Sequence, residues 1–564
     1  MNLLNPFITL LRRSPAVRFA CFFGLIALII FGSAFIGKQT QKKPVIHKIN
    51  PVLGLPGNTM TIYGENFGEV KGSSYVEISG SKINNLDFSL WSDKKIQFTI
   101  PQNVSDGLVI VANSSGKSEP AFFANENRIP VAVRPDPQTT IPVVSTITKS
   151  ANIGDIITIT GKNFGAARGN SKVYFTANRE DISGEKNTSE DIESNYICAS
   201  ENDYDYILWT DGEISVKVPD GAASGPVFVA TSRGISDSVR TAVNFPAGKK
   251  SYVNKHTFVI QITADISTAS ASQEAFITLY MPRPAECSFQ PSINLNEYYP
   301  DPLIKDDPRD VIYQKSINSI TNHKQRFSQT YVITSYEVKS NILSSKIAAY
   351  KDTKSVLYTA YTSPDACVPS NHETVIELKN LIVGKEKNPY KKARLIYDYL
   401  LENYKLENKV RPGEASVLDL PRRNSGDAYD FAILFTALCR AADIPSIPCS
   451  GILASSNSLS QAHWWSEIYF ENYGWFPVDI ALASGMDFTA FVPAENPREY
   501  YFGNIDCQHI YFSRGWNQIR ASLINSKTVY LPRSYALQSI WEEASDETSS
   551  YSSLWNTPSI NGIY

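Results

Sequence analysis

Between Ala428 and Arg440, apolar side chains fall at Phe431, Leu434, Phe435 and Leu438. Steps of three and four residues mark one face of a helix buried against a neighbour, so the spacing predicts a helix starting near Ala428. A second helical pattern opens at Asn388-Pro389 and carries Ala393, Ile396, Tyr397, Leu400 and Leu401 along one face for about four turns. Asn388 suits its cap and Pro389 its first position. Elsewhere the period is two. Thr59 to Tyr63, His256 to Ile262, Ala275 to Pro282, Gln329 to Val338 and Thr374 to Leu381 all read as strands. Gln461 to Tyr469 and Trp475 to Asp479 read as a hairpin closed by Glu471 to Gly474. That hairpin sets His463 and Asp479 on adjacent antiparallel strands, at most about three positions, or roughly 10 Å, from directly opposite.

Two segments repeat each other. Gly57 to Gly68 aligns without gaps on Gly154 to Gly165, and the match resumes with Trp91-Ser92-Asp93, Pro101 and Gly107 against Trp209-Thr210-Asp211, Pro219 and Gly225. The second copy carries an insertion placed within Asn178 to Tyr206, a polar stretch that reads as a surface loop. Alternating strands punctuated by Gly and Pro predict a sandwich for each copy, and Pro130 to Pro142 reads as a stiff linker between them. The Gly-x-Asn-Phe-Gly corner, present twice in register, resembles the IPT/TIG family of immunoglobulin-like domains, in which the strand before the corner ends at glycine and the Phe enters the core.

The length is too great for one core. A formal net charge of -3 provides no basic surface for a phosphate backbone, so nucleic acid is not an expected partner. Phe19 to Gly37 is an uncharged apolar run preceded by Arg12, Arg13 and Arg18, long enough to cross a bilayer. It reads as an uncleaved signal anchor, with a cleaved secretory signal as the alternative. Both place the bulk of the chain outside the cytoplasm, at the periplasm or cell surface. The seven cysteines include no C-x-x-C, which leaves no zinc motif of the usual type. Cys287 and Cys367 are candidates for a disulfide in an oxidising compartment. Cys507 and His509 are expected to share a strand face but are too few for a metal site. Neither a cofactor nor a metal is expected.

The stretch Gly426-Asp427-Ala428-Tyr429-Asp430-Phe431-Ala432, its helix, and Arg440-Ala441 followed by Ile444-Pro445 resemble the region around the nucleophile of the transglutaminase-like superfamily. Gly474-Trp475, Pro477-Val478-Asp479, Tyr501 to Asp506 and Phe512 to Gly515 resemble bacterial members. The resemblance implies a cysteine protease-like α+β core in which a cysteine at the helix start is the nucleophile, His463 the base and Asp479 the group that orients it. Helix-terminal N-H groups and the dipole would stabilise the thiolate. In this chain the nucleophile position holds Ala428. Cys439 is about 16 Å further along the same helix, Cys449 lies in the next strand, and Asp427 and Asp430 would raise the pKa of a nearby thiol rather than lower it.

The expected architecture is therefore multi-domain: a membrane segment (1–44), two immunoglobulin-like sandwiches (45–130 and 140–247), a β-rich domain (251–381), a transglutaminase-like domain (386–525) and a C-terminal tail (526–564), partly disordered by composition, with aromatics such as Trp541 and Trp555 that can dock back onto the core. The expected function is non-catalytic binding or scaffolding of a peptide, cell-wall component or protein partner in the C-terminal cleft. An acyl-transfer enzyme, were Ala428 an introduced change, and adhesion through the two repeats are the alternatives.

Overall fold

The computed structural model describes residues 42–564 apart from 103, 105–106, 126–140, 180–194, 273, 308, 318–323, 366, 409–416, 516–525, 531–539 and 546. The apolar run Phe19 to Gly37, most of the Pro130 to Pro142 linker and most of the insertion lie outside them. No helix among the described residues is long and apolar enough to cross a membrane.

Both repeats fold into a four-stranded sheet facing a six-stranded one. The duplicated corner explains why the motif recurs. Asn66 and Asn163 take left-handed backbone, φ 63° and 66°, a conformation Asn tolerates better than most residues. The turn drives Phe67 and Phe164 into the two cores. A Cβ on Gly64 would sit 1.9 Å from the Val45 carbonyl oxygen, and one on Gly161 2.0 Å from that of Val143. Asp93 and Asp211 each accept a hydrogen bond from the closing glycine, Gly68 or Gly165, at 3.0 Å. The indoles of Trp91 and Trp209 donate to the Phe67 and Phe164 carbonyls at 3.2 Å. The conspicuous matched residues thus form one hydrogen-bonded corner, built twice.

The middle domain is a sandwich whose backbone is the 24-residue strand β1 (Gly248–Ala271). It adds β2 (Phe276–Pro282) and the 18-residue β3 (Gln325–Ile342), which pairs along nearly the whole of β1. The longest helices that follow are α1 (Glu373–Val383), α2 (Pro389–Asn403) and α3 (Ala428–Ala441). They cover a four-stranded antiparallel sheet made of β4 (Ser446–Ala454), β5 (Ser460–Phe470), β6 (Gly474–Val478) and, after the short α4 (Ile480–Ala483), β7 (His509–Arg514), in the order β6-β5-β4-β7. The chain then returns to the middle domain as β8 (Trp541–Ser545), β9 (Thr548–Trp555) and β10 (Ser559–Ile563). β8 pairs with β2, while β9 and β10 pair with β1.

Three expectations are corrected here. Thr374 to Leu381 is helical, not a strand: Val375, Leu378 and Ile382 face the core at helical spacing while Leu381 is 71% exposed, and the His372 ring caps the Thr374 amide. The described part of the C-terminal segment after 540 is no tail. Ile540, Ala544, Trp555 and Ile560 are buried in the middle sandwich, and the Trp555 indole donates to the Glu542 carboxylate. The sequence from 251 to 381 therefore lacks strands that arrive only at the end of the chain. Cys287 and Cys367 are both free thiols. Burial raises both, Cys287 to about 12.

The second repeat is pinned to the C-terminal domain at the Gly474-Trp475 turn. Asp220 accepts the Trp475 amide at 3.2 Å, and Asp203 accepts its indole N-H at 2.8 Å. Lys250, itself buried, pairs with Asp220 and donates to the Trp475 carbonyl oxygen. Arg514 joins Asp203 to the buried Glu467.

Candidate functional site

Helix α3 begins where expected. Asp427 caps it by accepting the Asp430 amide at 3.0 Å, while the Asp430 carboxylate accepts the Asp427 amide at 3.1 Å. This reciprocal box satisfies two of the donors that a helix start leaves open. Arg423 lies 3.6 Å from the Asp430 carboxylate. Ala428, the first helical residue, is half-buried. The two acids that the sequence places beside the nucleophile position are thus spent on the cap.

Helix and sheet meet along β5. Ser466 donates to the Ala432 carbonyl oxygen at 3.0 Å, and one turn earlier Tyr429 packs edge-on against Trp464, with ring centroids 4.9 Å apart. Trp464 and Ile468 belong to the core under the helices, whereas the intervening Trp465 belongs to a second cluster with Cys449 and Tyr511. His463 shares the side of Trp465, whose indole stacks on it at 5.6 Å. Strand alternation dictates this division.

His463 and Asp479, expected to be adjacent, are joined: Nε2 lies 2.6 Å from Asp479 Oδ2, with both side chains fully buried. The strand slip is closed because Asp479 lies just past β6, where its other oxygen, Oδ1, accepts the Leu482 amide at 2.9 Å and caps α4. A third group converges on the same carboxylate. His509 Nε2 is 3.0 Å from Asp479 Oδ2, and its Nδ1 is 2.9 Å from Asp506 Oδ1. Tyr501 donates to the other oxygen of Asp506 at 3.0 Å. The result is a chain of four titratable groups, Asp506, His509, Asp479 and His463.

The electrostatics follow from that chain. Burial alone would lift the Asp479 carboxyl, but the charges and N-H groups of His463 and His509 outweigh it and hold it well below the usual range. Burial alone would lower His509. Asp506 and Asp479, one on each ring nitrogen, raise it instead to about 9. With both nitrogens donating, His509 is an imidazolium at neutral pH. His463 Nδ1 is buried and has no hydrogen-bond partner among the described residues.

The sequence pattern does not mark His509 and Asp506 as site residues. The available signal was a histidine three residues after an acid at the start of the last strand, but the contact to Asp479 spans 30 residues. Cys507 and His509 do not act together: Cys507 Sγ faces His256 Nδ1 at 3.3 Å, away from Asp479. Among the described residues, His463, Asp479 and His509 are the group whose donor atoms converge closely enough to suggest a cation. The separations are those of charge-assisted hydrogen bonds, which account for the arrangement.

The family comparisons locate the domains. A model of the transglutaminase-like superfamily matches residues 376–480, and a model of the IPT/TIG domain matches 44–124 and 142–245. The chain carries a transglutaminase-like domain behind two IPT/TIG domains. The transglutaminase-like match begins within α1. An uncharacterised protein of Haemophilus influenzae is 29% identical over 168 residues, 25% of this chain and 46% of that protein. A cyclomaltodextrin glucanotransferase of Paenibacillus macerans is 34% identical over 85 residues, 15% of this chain and 12% of that enzyme. The chain thus spans less than half the length of either relative. Among solved structures, a candidate cysteine protease from Cytophaga hutchinsonii aligns at 15% identity over 56% of this chain and 91% of its own, with a TM-score of 0.34.

Proposed function

We propose that this is a non-catalytic transglutaminase-like protein, held at the membrane by residues 19–37 with its bulk in the periplasm or at the cell surface, that binds a peptide, cell-wall component or protein partner. The observation that carries the reading is Ala428 at the capped start of α3, while the His463 and Asp479 pair is kept. A methyl group neither titrates nor attacks a carbonyl, so no thioester forms there. The other described thiols do not replace it. Cys439 and Cys449 are buried and pushed well above the ordinary thiol range, and burial raises Cys507 in the same direction. His463 is sealed from solvent, so a ligand over this end of the helix meets half-buried Ala428, Tyr429 and Ala462 instead of the imidazole.

The test is incubation of the protein with amine donors and glutamine-containing or cleavable peptides, with wild type and His463→Ala compared. The expected result is no product above background from either. Product made by wild type and lost in His463→Ala would overturn the reading.

A further inference from the structure

We propose that the groove between the second IPT/TIG domain, the middle sandwich and the Gly474-Trp475 turn is a binding site for an acidic sugar unit of the hexuronate class. It encloses about 400 Å³, within the range of small-ligand pockets, and contains none of Ala428, His463 or Asp479. Its success or failure is therefore independent of the catalytic reading.

The charge on its walls points to an anion. Six cationic side chains line it against four acidic ones, in a protein whose formal net charge is -3. Every one of the acids is engaged. Glu201 pairs with Arg168 at 3.0 Å, Glu286 with Lys172 at 3.5 Å, Asp203 with Arg514 and the Trp475 indole, and Asp220 with Lys250. Of the other three cations, Arg179 donates to the Ser288 carbonyl oxygen at 3.0 Å, and Arg283 and Arg309 on the sandwich wall have no carboxylate partner among the described residues. Arg283 donates through one nitrogen to the Lys305 carbonyl oxygen at 2.7 Å, which fixes the guanidinium without neutralising it. Arg309 also lies near Lys82 of the first IPT/TIG domain. Arg309, Lys117 and Lys71 all oppose the charge of the Lys82 ammonium, against the pull of Glu77. Cations crowded in this way are relieved by a bound anion.

The opposite wall selects what carries the anion. Tyr174 and Tyr196 are half-buried and braced by Phe228, Tyr174 stacked on it at 5.0 Å and 16°, Tyr196 edge-on at 4.8 Å. Rings held in this way offer rigid apolar surface with a polar tip. A hexuronate presents a carboxylate to the arginine forks and a flat C-H face to the tyrosines from one compact ring.

The experiment is calorimetric titration of the full-length protein in detergent with oligogalacturonate, a neutral malto-oligosaccharide and oligoglutamate. The expected result is binding of oligogalacturonate alone, weakened at least about tenfold in Arg283→Gln/Arg309→Gln, as the loss of two charge-assisted contacts demands. Tyr174→Ala/Tyr196→Ala should weaken it too, with each variant retaining the wild-type melting profile. No binding of oligogalacturonate, equal binding of oligoglutamate, or binding unchanged in a folded arginine variant would overturn the proposal.

Discussion

At the scale of single residues, Asp479 is shared between two imidazoles, and the sharing has a consequence for stability. The folded pKa of His509 is raised to about 9, so its contribution is fully present below the unfolded value of about 6.5 and is lost as pH rises through about 9. Asp479 is held low, so its contribution is present above the ordinary carboxyl value and is lost as the solution is acidified below it. The shift of His509 corresponds to on the order of 3 kcal/mol in this buried site. The melting temperature of wild type should therefore fall between pH 6.5 and 9.5, and that fall should be largely absent in His509→Phe. Equal slopes in the two proteins would show that His509 does not carry the charge assigned to it. The pairing of His463 with Asp479 was legible in the sequence because a short hairpin fixes register between neighbouring strands. The role of His509 was not, because its partner lies across a sheet whose strand order the local pattern does not contain.

At the scale of elements, the duplicated corner shows how a motif becomes geometry. Gly161 has an ordinary backbone conformation; it is glycine because the Val143 carbonyl oxygen and the Phe164 ring occupy the space of a side chain. Gly161→Ala should destabilise the second IPT/TIG domain by several kcal/mol, since backbone and a buried ring must both move. Differential scanning calorimetry should show one transition moving down while the rest of the profile stays in place. The strand expected at Thr374 to Leu381 failed for the opposite reason. Its β-branched start favours a strand locally, but Val375, Leu378 and Ile382 also fit a helical period, and the cap at His372 with packing under α2 and α3 decides between them. The helix at Ala428 was readable because its cap, its period and its terminus agree.

At the scale of the whole molecule, the chain is less linear than its motifs. The middle sandwich is begun by β1 to β3 and finished by β8 to β10, so the transglutaminase-like domain is inserted in it. Truncation after residue 539 should expose Phe258, Ile260 and Ile266 on β1, leave the sandwich incomplete, and yield a protein with lost cooperative unfolding by circular dichroism or an insoluble product. A truncated chain with a wild-type transition would refute the closure seen here. Composition misled at this point: the Ser-rich run from Thr548 to Ser553 looks unstructured, yet it forms an outer strand whose serines pair with Ser267 and Ser270 of β1 at 3.1 and 2.8 Å.

The central claim is that fold and activity separate at one position: the cap of α3 is formed and His463 stays paired with Asp479, while the first helical residue is Ala428. Ala428→Cys tests it most directly, read as the pH dependence of alkylation by a small electrophile. The account predicts a thiol that titrates clearly below the free value of about 8.5 and returns toward it in Ala428→Cys/His463→Ala. A thiol that titrates at or above the free value, or whose reactivity is indifferent to His463, would contradict the account and mark the dyad as packing alone.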